Sequence, residues 1–205
     1  PSYVPSQKFT TWPIDPTSPG YSTELQGFGD TQFAWEGRNS YYRQTGRLHS
    51  AIDIFVDKGA PVVSVGGGRV VCVGCGISNP VEGVTDPGIG IFHDLCKCVM
   101  YYTHLSSYSV EEQDNVEAGT PIGLSGTGFG VEHVHIEVRP YQGAAEFWNP
   151  LYFFDPALIA DLSYQDYHNP YPNPEWRIIG YMSKGDDAKF YSYWDGSLPQ
   201  IDILP

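Results

Sequence analysis

Two of the six histidines in this chain stand one residue apart, as His133 and His135 of VEHVHIEV (131–138). In an extended strand alternate side chains share a face, so both imidazoles project with Val131 and Glu137 while Val134, Ile136 and Val138 point the other way. One face is apolar and the other carries imidazoles. That pattern suits a half-buried strand whose polar side does chemistry, and it equally suits a pair of structural histidines. A second histidine group lies in HSAID (49–53), where His49 and Asp53 are four residues apart. Strand and helix geometry both bring positions i and i+4 to one side, and the β-branched residues around them favour the strand. A catalytic zinc site needs three His, Asp or Glu ligands and keeps a fourth position open. His49, Asp53 and either histidine of HVH supply that number and leave one imidazole over. His104, in YYTHLSS, closes an aromatic strand and can face the same groove. Hydrolysis at such a site needs a proton acceptor for the attacking water and donors for the developing oxyanion, and imidazoles can do both. HxxxD and HxH each occur by chance; the ordered set is what carries weight.

These residues need rigid elements to hold them. From Leu48 onward LHSAIDIFV alternates cleanly, PVVSVGGGRVVCVG gives a strand, a glycine turn and a strand, and IGIFHD and CVMYYTHLS give two more. SVEEQDNVEAGTPIGLSG has the form of a hairpin and turn leading into the glycine-rich GTGFG, directly before the HVH strand. The expected fold is all-β, an antiparallel sheet domain with a groove walled by loops. Residues 1–27, rich in Pro and Ser without periodicity, are expected to form an irregular arm on the surface. Residues 28–155 form the domain, and 156–205 an aromatic-rich extension that opens with one short helix in PALIADLSY and packs on the domain. A chain of 205 residues accommodates one well-buried core.

Composition narrows the partners. A formal net charge of −13 disfavours nucleic acid and anionic membranes, which are bound through a surplus of Lys and Arg. No apolar run approaches the ~20 residues that span a bilayer. The sequence begins at Pro1 without a start methionine, so a mature or trimmed product is expected. Cys72, Cys75, Cys96 and Cys98 form two close pairs, which suits two disulfides in an exported protein or a four-thiolate structural zinc; disulfides are preferred.

RLHSAIDIFVDKGAPVVSVGGGRVV, YYTHLSS, NVEAGTPIGLSGTGFGVEHVHIEVRP and NPLYFF together resemble the lysostaphin-type zinc metallopeptidases, peptidoglycan endopeptidases, over roughly residues 45–155. The resemblance implies that His49, Asp53 and His135 bind one zinc ion, and that His133 and His104 act at the attacking water and the oxyanion. It further implies a secreted or cell-envelope enzyme, expected to be a monomer, that cuts cross-bridge or stem peptides in a groove. The walls of that groove would be the region before His49, the loop 79–88, the segment after His104 and the loop 126–130. Some relatives lack ligands and serve as silent activator modules; here all five positions are filled. Glu132 stands where the family commonly has Pro, and it either faces the buried side or marks a bend. The cysteines have no place in the family pattern, and because pairing within CKC looks strained, cross-pairing of the two clusters is expected. His93 is expected to be structural and His168 a surface or tail-packing residue. The C-terminal aromatic residues are expected to cover the sheet, with wall binding as the alternative. Tyr41 and Tyr42 are weaker candidates for oxyanion stabilisation.

Overall fold

The alternation of VEHVHIEV becomes the central strand of the sheet. The computed structural model describes residues 7–42, 48–78, 85–140, 146–168, 181–183, 190–191 and 200–201. Its strands are β1 (Glu24–Gln26), β2 (Ala51–Phe55), β3 (Pro61–Val63), β4 (Gly68–Ser78), β5 (Thr85–His93), β6 (Cys98–Thr103) and β7 (Leu105–Tyr108). There follow β8 (Asn115–Val116), β9 (Pro121–Gly128), β10 (Val131–Pro140), β11 (Glu146–Trp148), β12 (Ser163–Tyr164) and three short C-terminal strands. Among the described residues there are two short α-helices, α1 (Gln32–Glu36), capped by the Thr31 hydroxyl on the Ala34 N–H, and α2 (Pro156–Ile159) within the segment expected to be helical, and a 3-10 turn at Pro150–Phe153. The fold is therefore all-β, and every strand pairing is antiparallel except the short parallel match of β1 with β12.

Strand β10 pairs with four neighbours. Its start lies against β9, its middle against β2 and its second half against β6, with a last contact to β11. The registers Val134↔Ile54, Ile136↔Ile52, Ile136↔Tyr102 and Val138↔Met100 stack the apolar face into one buried layer. Period two alone selects which residues enter that layer, and a one-residue slip would exchange the isoleucines for imidazoles. Residues 7–23 of the arm form only turns and isolated bridges, β1 lies at its end, and the arm is not superficial. Phe9 and Ile14 are buried in the core, Ile14 bridges to Val62, and Phe9 N–H donates to the Phe153 carbonyl at 2.8 Å. Apolar residues scattered without period leave no sequence signal for such packing.

The glycines of GTGFG read as a loop in the sequence, yet Gly126 and Gly128 end strand β9, and only Phe129 and Gly130 turn. A Cβ on Gly123 would fall 2.3 Å from the Ser107 carbonyl oxygen, and one on Gly126 2.4 Å from that of His104. These glycines let β7 approach β9 closely, a reason for glycine that appears only once the strands are paired. Glu132 is exposed in an unbroken β10 and accepts from the Lys58 N–H at 2.8 Å, so it neither faces the buried side nor breaks the strand.

The cysteines pair within clusters, Cys72 with Cys75 and Cys96 with Cys98, which corrects the expected cross-pairing. Residues three apart on a regular strand lie about 10 Å apart and face opposite sides. Here register shifts between Val70 and Cys72 and between Val73 and Cys75, with Gly74 at φ 70°, bring the Cα atoms of Cys72 and Cys75 to 5.8 Å. At the β5–β6 turn, Lys97 at φ 50° brings those of Cys96 and Cys98 to 5.1 Å. Non-reducing peptide mapping should show the mass of the chain reduced by four hydrogens in total, with one bridge in a 72–75 fragment and one in a 96–98 fragment; a fragment linking the clusters would contradict this pairing.

His93 is structural. It is fully buried at the end of β5, edge-on to Phe9 at 5.1 Å, with Nδ1 3.0 Å from the Gly67 carbonyl. Burial lowers it from the ordinary 6.5 to about 4, only partly offset by the Gly67 contact. Between those values the unfolded chain binds more protons than the folded one, so stability is full above the unfolded value and is lost as the pH falls. From pH 7 to pH 5 this group alone should remove about 2 kcal/mol. Urea unfolding of the wild type and a His93→Gln variant at both pH values should show the steeper loss in the wild type, and equal losses would remove this assignment.

Candidate metal centre

Strand pairing places the donors. His135 lies directly opposite Asp53 on β2, while on its other side it faces Thr103, the residue before His104. His49 precedes β2 and is held by a two-way backbone bridge with Gly29, each hydrogen bond 2.8 Å. As a result His135 Nδ1 lies 2.8 Å from Asp53 Oδ1, His49 Nε2 3.3 Å from it, and His133 Nε2 3.7 Å. Donor atoms of His49, Asp53 and His135 all fall within 4.8 Å of one another, and the three residues are buried. His104 closes the group, its ring 4.5 Å from that of His133 and 5.5 Å from that of His135. All five residues singled out in the sequence therefore meet in one place. His133, His135 and Glu137 on the polar face of β10 are buried like the apolar residues opposite, which simple alternation did not foretell.

The donor chemistry fits a divalent metal. His49 Nδ1 lies 2.7 Å from the Gly27 carbonyl, which as an acceptor fixes the proton on Nδ1 and leaves a lone pair on Nε2. That Nε2 is buried without a hydrogen-bond partner, although it faces a carboxylate. Burial alone would raise Asp53, but the imidazoles of His49, His133 and His135 outweigh it and hold the carboxyl well below the usual range. Burial likewise disfavours a charged His135, yet Asp53 and Glu137 prevail and raise it to about 9. Two carboxylates thus flank one imidazole in a region that calls for a cation. Among donor sets of this kind, two imidazoles and a carboxylate suit zinc.

Glu137 and its partner Ser50 escaped the sequence reading, whereas Tyr41 and Tyr42 are candidates for the oxyanion already from the sequence. Glu137, placed on the imidazole face by period two but given no role, is fully buried; its Oε2 lies 3.8 Å from His135 Nε2 and accepts from Ser50 Oγ at 2.8 Å. Tyr42 packs edge-on against His49 at 5.8 Å, and its hydroxyl accepts from Gln26 Nε2 at 3.1 Å. Burial, helped by the Asp53 charge, raises Tyr42, so the phenol stays protonated. Tyr41 and Phe129 are 41% and 39% exposed, with rings 4.5 Å apart, and Phe129 lies 5.8 Å from His104. The two walls expected before His49 and at 126–130 thus touch beside the imidazoles. The segment after His104 is strand β7, whereas residues 79–84 of the remaining wall lie outside the described residues. His168 stacks on Trp35 at 4.0 Å, away from the donors. Most of the C-terminal extension, from residue 169, lies outside the described residues, apart from its three short strands.

A sheet domain with three converging His and Asp donors and two further imidazoles has the composition of an open metal site. Residues 47–147 match the model of Peptidase family M23. The chain is 29% identical over 168 residues to lysostaphin of Staphylococcus staphylolyticus, covering 78% of this chain and 31% of that protein. It is 33% identical over 97 residues to the glycyl-glycine endopeptidase ALE-1 of Staphylococcus capitis, covering 45% and 25%. The chain thus spans about a third or less of the length of these curated relatives. The solution structure of lysostaphin superposes with a TM-score of 0.50 at 28% identity, over 75% of this chain and 57% of that one. A chain of the SpoIIQ–SpoIIIAH pore-forming complex superposes at 0.52 with 24% identity, over 73% and 93%, a likeness of fold alone. Residues 47–147 thus carry a Peptidase family M23 domain, and the chain is similar to lysostaphin in sequence and fold.

His104 adopts φ 61°, a region few non-glycine residues occupy, where the chain passes from β6 to β7. Its ring lies over Gly128, where an added Cβ would sit 2.5 Å from Nδ1 and Cε1. Gly128→Ala should therefore displace the His104 imidazole while leaving the buried His93 in place. Side-chain histidine NMR resonances would report this, and an unshifted His104 signal would show that the ring does not depend on the glycine.

Proposed function

We propose that this protein is a zinc-dependent metalloendopeptidase that hydrolyses cross-bridge or stem-peptide bonds of bacterial peptidoglycan, acting outside the cell or in the envelope. The observation that carries the proposal is the convergence of His49, Asp53 and His135 with His133 and His104 beside them. His49, Asp53 and His135 would hold the ion. Zinc bound there supplies Lewis acidity, polarising the scissile carbonyl and making water a nucleophile near neutral pH.

His133 is arranged to move the proton. Its Nδ1 lies 3.0 Å from the Val131 carbonyl, so the hydrogen stays on that nitrogen and Nε2 turns its lone pair toward the Asp53 side. From there it accepts a proton from the attacking water and returns it to the leaving amine. His104 directs an imidazole N–H at the carbonyl oxygen as charge develops, and its packing on Gly128 sets that aim without reorganisation. The exposed Tyr41 and Phe129 rings, in contact beside His104, would flank a peptide that reaches the imidazoles. The names of the relatives, an endopeptidase among them, support a peptide bond as the target.

Purified protein should contain about one zinc per chain. Chelation should abolish the release of new termini from muropeptides of defined cross-bridge, followed by mass spectrometry, which also identifies the bond cut. His133→Ala and His104→Ala should keep the metal and lower the rate by about 10²–10⁴-fold, whereas His135→Ala should lose the metal. A folded, metal-free protein without cleavage activity, or full activity in the His133→Ala variant, would refute the proposal.

A further inference from the structure

The second nitrogens of the three imidazoles around Asp53 are treated differently. That of His49 faces the Gly27 carbonyl and that of His133 the Val131 carbonyl, both neutral main-chain acceptors. That of His135 alone faces a carboxylate, Glu137. We infer that Glu137 is a positioning residue for the metal centre, holding His135 with its proton on Nε2 and its Nδ1 lone pair directed to the ion. The inference rests on the metalloenzyme proposal for His49, Asp53 and His135.

Three features support it. First, His135 lies between two acids, with Nδ1 2.8 Å from Asp53 Oδ1 and Nε2 3.8 Å from Glu137 Oε2, within ion-pair reach but longer than a hydrogen bond, so that this buried Nε2 has Glu137 as its facing charge and no hydrogen-bond partner. The partner of one ring nitrogen decides which nitrogen is left to bind a metal, and an anionic partner also makes that nitrogen a better donor. Second, Glu137 is itself immobilised. Ser50 Oγ donates to Oε2 at 2.8 Å, Arg139 Nε donates to Oε1, and the Arg139 guanidinium rests on the rings of Tyr101 and Phe147 at 5.3 and 5.0 Å. Third, Ser50 directly follows His49, and Glu137 is paired in register with Ala51. One carboxylate therefore ties the segment that carries His49 to the strand that carries His135. A buried carboxylate is costly to desolvate, and an apolar residue would fill the same position more cheaply if packing were its only purpose.

Zinc affinity is the readout, measured on the full chain by competition with a chromophoric chelator. Glu137→Gln keeps the shape of the side chain and removes its charge, and it should bind zinc about 10–100-fold more weakly. Ser50→Ala frees one carboxylate oxygen without leaving a charge unpaired and should weaken zinc severalfold. The visible absorption of the cobalt-substituted protein should shift in both variants, because the donor strength of His135 changes. Circular dichroism of the metal-free proteins establishes folding, and if Glu137→Gln does not fold, Ser50→Ala decides. Affinities within twofold of wild type with an unchanged cobalt spectrum would overturn the inference while leaving the metal site intact. If the wild type itself takes up no stoichiometric zinc, the metalloenzyme proposal fails and the inference falls with it.

Discussion

The pairing of His135 opposite Asp53 is the constraint on which the rest of the centre depends. These residues are 82 positions apart in sequence, yet the β10–β2 ladder sets them side by side with 2.8 Å between Nδ1 and Oδ1. The same ladder seals Ile52, Ile54, Val134 and Ile136 on the reverse face. Shifting the ladder by one residue would expose imidazoles to the apolar layer and isoleucines to the polar one, so the hydrophobic core enforces the geometry of the polar site. A core of this kind also explains how a group of charged and polar side chains can be held still without depending on surface loops for rigidity.

Electrostatics complete what register begins. Asp53 stays ionised in a buried setting because three imidazoles from two chain segments surround it, and Glu137 stays ionised because His135, Arg139 and Ser50 do the same. Each buried acid would be costly alone, and together with the imidazoles they form a region that is satisfied by a bound cation. The lone pairs are aimed by main-chain carbonyls at Gly27 and Val131, so the loop before α1 and the start of β10 take part in the centre although neither contributes a donor. The contrast with His93 is instructive: it too is buried, but against a carbonyl and aromatic neighbours, and it stays neutral.

Sequence-based expectations departed from the structure through contacts between distant segments and, for the cysteines, through local irregularities of the backbone. The arm carries no periodicity, yet Phe9 and Ile14 enter the core because Phe153 and Val62 offer them backbone partners. Gly126 and Gly128 resemble loop residues, but they occupy a strand because β7 and the His104 ring leave no room for a Cβ. The cysteine pairing follows from irregularities in β4 and from a left-handed Lys97, neither of which residue spacing reveals.

The sequence by itself marked out the candidate residues and the sheet class. Period-two alternation and the types of residue at 49, 53, 104, 133 and 135 follow from covalent geometry and side-chain chemistry, which are local. It could place His133 and His135 on one face but could not tell them apart except through a family resemblance. Tertiary structure decided their difference, setting His135 against Asp53 and Glu137 and His133 against Phe55 and the Val131 carbonyl. It also decided the buried Ser50–Glu137 tie, across 87 positions, and the seat of His104 on Gly128. Such contacts are set by which strands pair and how closely they approach, and that information is spread over the whole chain rather than written in any one stretch of it.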